Sequence, residues 1–159
     1  MILNQQRRVS VSMGLLGRFL SRARRALRLP AGSLTVCLVT DAQMARWNRA
    51  YRAKPGPTDV LSFPAEVKEP KRGRHGAQPR RRGLPSSAWF TASDFYLGDI
   101  AIAPGVARRN ARRFGRTFND EMRILLLHGM LHLMGYDHET DTGQMDRREQ
   151  RLRRTLGLA

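Results

Sequence analysis

Three histidines within one short run constrain this chain more than any other feature of its sequence. The run reads HGMLHLMGYDH over residues 128–138. His128 and His132 are four residues apart, so on a helix both imidazoles project from one face about one turn apart. Gly135 can adopt the left-handed conformation that ends a helix, which lets the chain turn back and bring His138 to the same point.

This spacing indicates a metal site of the catalytic kind. Three neutral imidazoles bind a zinc-like ion and leave a fourth position for water or substrate, whereas structural zinc sites usually close with four protein ligands. The alternative is that these are ordinary core histidines of a buried helix at 124–134, and it accounts poorly for three of them beside a glycine. We expect one zinc ion per chain, bound by His128, His132 and His138, although nickel and copper also bind such sites.

The same spacing occurs in the zinc protease signature H-E-x-x-H-x-x-G-x-x-H, with one difference. Gly129 occupies the position of the glutamate that activates water in those proteases. Glycine has no side chain to accept a proton. We therefore do not expect peptide hydrolysis by that mechanism.

The net charge indicates a polyanionic partner. The chain carries 29 Lys and Arg against 13 Asp and Glu, a net charge of +16, and no acidic residue precedes Asp41. An excess of this size favours nucleic acid or an anionic membrane surface. We favour nucleic acid, because a metal site can act on a phosphodiester and no apolar stretch is long enough to span a membrane. A mitochondrial transit peptide is a minor alternative for the basic N-terminus, where a basic amphipathic helix of the domain explains the pattern as well.

The order of periodic segments predicts one α/β-type domain of two or three layers over residues 1–159. We expect an N-terminal edge strand to about residue 8, central strands at 34–39 and 59–63, the latter stopped by Pro64, and a strand at 97–102. We expect helices at 12–28, at 41–51 with Asp41 as N-cap, at 104–114, from a cap at Thr117 or Asn119 to about 135, and at 140–156.

Residues 67–90 differ from the rest in composition. They combine arginine and lysine with proline, glycine and serine and contain one acid, Glu69. Because nothing periodic there can bury a core, we expect a disordered basic loop between two strands. His75, which lies in this loop, is expected to be solvated rather than a fourth ligand.

The single cysteine indicates the redox state of the compartment in which the protein resides. Cys37 lies in the predicted strand 34–39, where it reads as a small core residue. A lone cysteine allows no disulfide within the chain, which fits a reducing compartment, so we expect a cytoplasmic protein.

Four motifs in this order resemble the YbeY family of metal-dependent endoribonucleases in ribosome maturation. They are residues 48–52 (NRAYR), 57–64 (PTDVLSFP), 97–100 (LGDI) and 128–138. The resemblance covers about residues 34–156. It implies a compact α/β (α+β) domain with a small mixed sheet packed with helices, and a metal site at the end of a central helix. The chain departs from the family at 54–56 and in its longer, more basic loop at 67–90, and both departures bear on how RNA binds.

The resemblance also implies a function and its residues. It implies a zinc-dependent, single-strand-specific endoribonuclease acting in late 16S rRNA maturation and ribosome quality control, with precursor rRNA and the small ribosomal subunit and its proteins as partners. The family's three histidines match His128, His132 and His138, and its functional arginine matches Arg52, so Arg52 and His128 are the catalytic candidates. Because Gly129 supplies no base, the alternative is a ribosome-assembly RNA-binding factor with a structural zinc and no nuclease activity.

Physical chemistry suggests a role for Arg52 and for two acidic side chains. If Arg52 faces the metal, its guanidinium can hold the scissile phosphate by two hydrogen bonds. Asp99 and Asp137 could accept hydrogen bonds from ligating imidazoles and so orient them. A turn or capping role is an equal alternative for either aspartate.

Overall fold

A computed structural model describes residues 1–65, 95–137 and 140–158, which form four strands and five helices. The predicted loop at 67–90, including His75, and the predicted ligand His138 lie outside the described residues. The strands are β1 (Ile2–Asn4), β2 (Leu34–Leu38), β3 (Val60–Pro64) and β4 (Gly98–Ile102). The helices are α1 (Met13–Ala26), α2 (Asp41–Arg52), α3 (Pro104–Arg113), α4 (Phe118–Leu133) and α5 (Gln144–Leu156). The α+β fold class expected from the sequence is confirmed.

The four strands form one mixed sheet in the order β1-β2-β4-β3. β1, β2 and β4 are parallel, and β3 runs antiparallel to β4 with Ser62 opposite Ile100. The prediction of a central strand at 59–63 is therefore wrong, because β3 lies at an edge of the sheet. Pro64 is the last residue of β3 rather than a residue that stops it, since an edge strand tolerates the missing N–H of proline.

Helix α4 is the centre of the hydrophobic core. It packs against β3 and β4 and against α1, α3 and α5, and most of its side chains are buried. Thr117 caps it by accepting a hydrogen bond from the backbone N–H of Asp120 at 3.1 Å. Gly135 follows its end with a φ of +88°, as the sequence predicts. No described helix combines the length and the apolar character that a membrane crossing requires.

Gly129 allows α4 to lie unusually close to the sheet. A Cβ at this position would lie 2.8 Å from Cγ2 of Ile100 and 3.3 Å from Oγ of Ser62. The Ser62 hydroxyl donates a hydrogen bond to the carbonyl of Gly129 at 3.1 Å. A glutamate at this position would be directed into the sheet, so the absence of a protease-like base follows from the packing of the helix.

The start and end of α2 determine where Arg52 lies. The N-cap is Thr40, whose hydroxyl accepts from the backbone N–H of Gln43 at 3.2 Å, so the prediction of Asp41 as cap is wrong. Asp41 instead pairs with Arg109 of α3 at 2.8 Å. The helix extends to Arg52, and the next residue, Ala53, adopts the left-handed conformation at its C-cap.

The close approach at Gly129 gives a stability prediction. Gly129→Ala should destabilise the fold by about 1–2 kcal/mol, because displacing the buried Ile100 side chain costs more than the gain in helix propensity. Thermal unfolding should show a lower Tm by several degrees. Gly17→Ala in α1 is the matched control, since no atom beyond its own stretch of helix backbone lies within 4 Å of its Cβ position, and it should leave Tm unchanged or raise it. A Gly129→Ala protein as stable as Gly17→Ala would contradict this account of the packing.

Candidate metal centre

His128 and His132 converge at the end of α4. Their Nε2 atoms lie 3.1 Å apart, and the rings meet edge to face with centroids 4.7 Å apart. Two imidazole nitrogens bound to one tetrahedral zinc ion at about 2.1 Å lie roughly 3.4 Å from each other. The observed separation is therefore close to what a shared ion requires.

The third predicted ligand, His138, lies outside the described residues. Within the described part of the chain, no group of three histidine, cysteine, aspartate or glutamate side chains is placed to hold a metal ion. The pair formed by His128 and His132 is thus two thirds of the predicted set, and the complete three-histidine site stays a prediction.

Glu149 of α5 holds the other nitrogen of His128. Its Oε2 lies 2.9 Å from Nδ1 of His128, and only 7% of its side chain is exposed. Burial raises the pKa of Glu149, but the hydrogen bond from His128 and the charge of Arg153 outweigh it and hold the pKa below the usual value. A charged carboxylate can only accept, so Nδ1 of His128 donates to it, and in a neutral imidazole this arrangement leaves the lone pair on Nε2.

The sequence prediction missed Glu149, because only the packing of α5 on α4 brings it to His128. A signal for it was present in the sequence. Glu149 is the one acidic residue in the buried face of α5, whose other members are Met145, Leu152 and Leu156. An acid within an otherwise apolar stripe needs a partner inside the fold.

Of the two acids that the sequence suggested, one lies away from the histidines and one lines the same cleft. Asp99 accepts a hydrogen bond from the hydroxyl of Tyr96. Since Ile100 faces α4 at Gly129 and neighbouring residues of a strand face opposite ways, Asp99 lies on the other side of the sheet and does not face His128 or His132. Asp137 accepts from the hydroxyl of Thr140 at 3.2 Å, and its suggested role toward an imidazole stays a prediction.

A cleft of about 940 Å³ brings Arg52 together with the two histidines. Its walls are the end of α2, strand β3 with the residues before it, and the end of α4. The residues that line it are Tyr51, Arg52, Thr58, Asp59, Val60, Leu61, Ser62, Phe63, Pro64, His128, His132, Gly135, Tyr136 and Asp137. The tertiary structure thus unites three motifs that are far apart in the sequence.

An exposed aromatic side chain lies beside Arg52. The side chain of Tyr51 is 69% exposed, and its ring rests edge-on against Phe63 with centroids 5.0 Å apart. Phe63 is supported in turn by Trp47, at 5.8 Å between centroids. The cleft therefore combines a cation with a fixed aromatic surface.

Two other polar side chains of the cleft serve the fold. Asp59 accepts from the backbone N–H of Val60 at 2.8 Å and from the amide of Asn110 of α3 at 2.9 Å. The hydroxyl of Ser62 donates to the carbonyl of Gly129. The histidines and Arg52 carry the groups that bind a metal ion and a phosphate, so they are the stronger candidates for chemistry.

Comparison with known proteins identifies the family. The family model described as Endoribonuclease YbeY matches residues 2–157. The chain belongs to the endoribonuclease YbeY family. The YbeY protein of Koribacter versatilis is 36% identical over 158 residues, which are 99% of this chain and 86% of the relative. That of Solibacter usitatus is 43% identical over 118 residues, 74% of this chain but only 62% of the relative.

A solved structure supports the same fold. The solution structure of TM1509 from Thermotoga maritima matches with a TM-score of 0.57 at 24% identity, covering 98% of this chain and 89% of that one. At this identity the likeness concerns the fold alone. Family membership confirms the prediction of the YbeY family and of its enzyme class, a hydrolytic endoribonuclease. The metal ligands and the role of Arg52 stay predictions.

The contact between Glu149 and His128 gives a prediction for metal affinity. Glu149→Gln removes the charge that fixes the tautomer and orientation of His128, so metal should bind roughly 10–100-fold more weakly. Competition between the protein and a chromogenic chelator measures this affinity directly, without an activity assay.

Glu121→Gln is the matched control. Glu121 is a buried glutamate of α4 that pairs with Arg116 at 3.0 Å, away from the histidines. Both variants should lose stability, but only Glu149→Gln should lose metal affinity. Equal metal affinity in the two variants would show that Glu149 is purely structural.

Proposed function

We propose that this protein is a zinc-dependent endoribonuclease that cuts single-stranded RNA. We infer that its substrate is precursor 16S rRNA during late maturation and ribosome quality control in the cytoplasm, in association with the small ribosomal subunit and its proteins. The observation that carries the proposal is the convergence of two Nε2 atoms, 3.1 Å apart, in a cleft that Arg52 also lines. Membership of the endoribonuclease YbeY family supports the class of reaction.

The donor set fits a zinc ion. His128 and His132, with His138, would hold it, and Glu149 would keep His128 in the tautomer that binds metal. When bound, zinc supplies a Lewis acid that polarises a phosphate oxygen and makes a water molecule more acidic. The protein's own contribution is to hold the imidazoles in position, through the buried face of α4 and the packing of α5 on it.

Arg52 is proposed to bind the scissile phosphate. It is the last residue of α2, and the loop after it is held by the buried Asn48, whose amide donates to the carbonyl of Gly56 at 2.9 Å. A guanidinium presents two parallel N–H groups to a phosphate. This contact strengthens as negative charge develops on the phosphate oxygens, so it favours the transition state over the bound substrate.

Tyr51 supports the preference for single strands. Its exposed ring, held against Phe63, offers a face on which an unpaired base can stack next to the phosphate bound by Arg52. Stacking on an aromatic side chain requires a base that is free of its neighbours in a duplex. A paired RNA would not present such a base to the cleft.

The experiment that tests the function separates a nuclease from a binding factor. Metal-loaded protein should cleave a labelled single-stranded RNA, and His132→Ala should lose both metal and cleavage. Metal is measured by elemental analysis of the purified protein. An RNA-binding factor with a structural zinc would bind the RNA and leave it intact, whatever its metal content.

Arg52 gives a second test on the same RNA. Arg52→Ala should lower kcat/KM roughly 10²–10³-fold, by analogy with the loss of one oxyanion donor. Arg52→Lys should be only partly active, because lysine keeps the charge but not the paired geometry. RNA affinity and metal content should change much less than the rate in both variants.

The matched control is Arg49→Ala, an exposed arginine on the same helix that does not line the cleft. It removes the same charge and should leave cleavage near the level of the unmodified protein. Cleavage by Arg52→Ala at the rate of Arg49→Ala would remove Arg52 from the mechanism.

A further inference from the structure

The turn between α3 and α4 carries a basic and aromatic surface outside the cleft. We call it the α3–α4 corner and define it by Arg112, Arg113, Phe114 and Arg116. The first three residues are exposed in succession, and Gly115 makes the turn with a φ of +63°. None of them lines the cleft described above.

The aromatic ring of the corner lies among guanidinium groups. Phe114 is 53% exposed, and the guanidinium carbons of Arg113 and Arg116 lie 5.6 and 5.2 Å from its ring centre. One helical turn before Arg112, the guanidinium carbon of Arg108 lies 5.3 Å from the ring centre of Phe118, which follows the corner in α4. The corner therefore places two guanidinium groups beside an exposed aromatic ring.

The charge of the corner is only partly neutralised by the protein itself. Arg116 pairs with Glu121, but within the described part of the chain no acidic side chain pairs with Arg112 or Arg113. Cations at the end of a helix are favoured by the helix dipole, which accounts for some of this charge. It does not account for an aromatic ring that is left half exposed among them.

The corner is continuous with the cleft. Asn110 lies four residues before Phe114 on the same face of α3, and its amide contacts Asp59, which lines the cleft. A strand that occupies the cleft and continues past Asp59 along α3 could therefore reach the corner.

We propose that the α3–α4 corner is a second contact surface for single-stranded RNA, which holds nucleotides flanking those in the cleft. The inference rests on the proposed nuclease function and adds a binding surface to it. The guanidinium groups of Arg112 and Arg113 would bind phosphates, and an unpaired base would stack on the ring of Phe114. Flanking interactions of this kind raise affinity for long strands and leave the chemistry of the cleft unchanged.

The test uses metal-loaded, full-length protein and a labelled oligodeoxythymidylate of about 20 nucleotides, longer than common single-strand sites of roughly 4–16 nucleotides. A DNA strand supplies bases and phosphates but is not the substrate of an endoribonuclease. Phe114→Ala should raise Kd about fivefold to tenfold, measured by fluorescence anisotropy. Phe114→Tyr, which keeps the aromatic face, should bind like the unmodified protein.

The charge of the corner is tested separately. Arg112→Ala combined with Arg113→Ala should reduce the salt dependence of log K by roughly 0.7 for each phosphate that the protein no longer neutralises. Arg25→Ala combined with Arg151→Ala is the matched control, because it removes two exposed arginines from α1 and α5 and leaves the same net charge. It should bind more tightly than the corner variant.

Three results would overturn the proposal. The first is a Kd of Phe114→Ala equal to that of the unmodified protein. The second is an equal loss of affinity in the corner variant and in its matched arginine control. The third is an unmodified protein that does not bind the single-stranded DNA.

A separate assay with the shortest RNA that the unmodified protein cuts should show equal cleavage by Phe114→Ala, since the nucleotides next to the scissile bond lie in the cleft and not at the corner. If neither the unmodified protein nor Phe114→Ala cuts RNA, the nuclease proposal fails. The DNA-binding measurements would still show whether the corner binds a single strand.

Discussion

The close packing of α4 on the sheet at Gly129 is the constraint on which the site depends. Because position 129 has no side chain, Ile100 and Ser62 approach the helix backbone directly. This packing fixes the rotation of α4 about its axis, and the rotation places His128 and His132 in the cleft. It also explains why a protease-like glutamate is absent, since that position faces the interior of the protein.

A second layer of interactions orients the histidine pair. Glu149 of α5 contacts His128 of α4 and also Arg153 of its own helix, so a hydrogen bond joins α5 to α4 in addition to its apolar face. A buried carboxylate without partners would cost several kcal/mol, and here each of its oxygens has one. Through this side chain the stability of α5 and the orientation of an imidazole are coupled.

The acidic residues of this basic chain are largely used within the fold. Asp41, Asp120, Glu121 and Glu149 each pair with a cationic side chain or a histidine, and Asp59 caps the backbone at β3. Within the described residues, many of the arginines that contribute to the net charge of +16 are exposed at the surface. This distribution suits a protein that binds an RNA backbone by charge and selects the bound strand by stacking.

The sequence by itself determined most of the elements and the pairing of two histidines on one helix face, because both follow from local periodicity. The spacing of His128 and His132 on an apolar helix, the bend at Gly135 and the boundaries of most helices and strands could be read directly. Only the tertiary structure decided the edge position of β3, the face on which Asp99 lies and the contact of Glu149 with His128. These depend on which elements lie side by side, and the sequence pattern of one element carries no information about the register or identity of its neighbours.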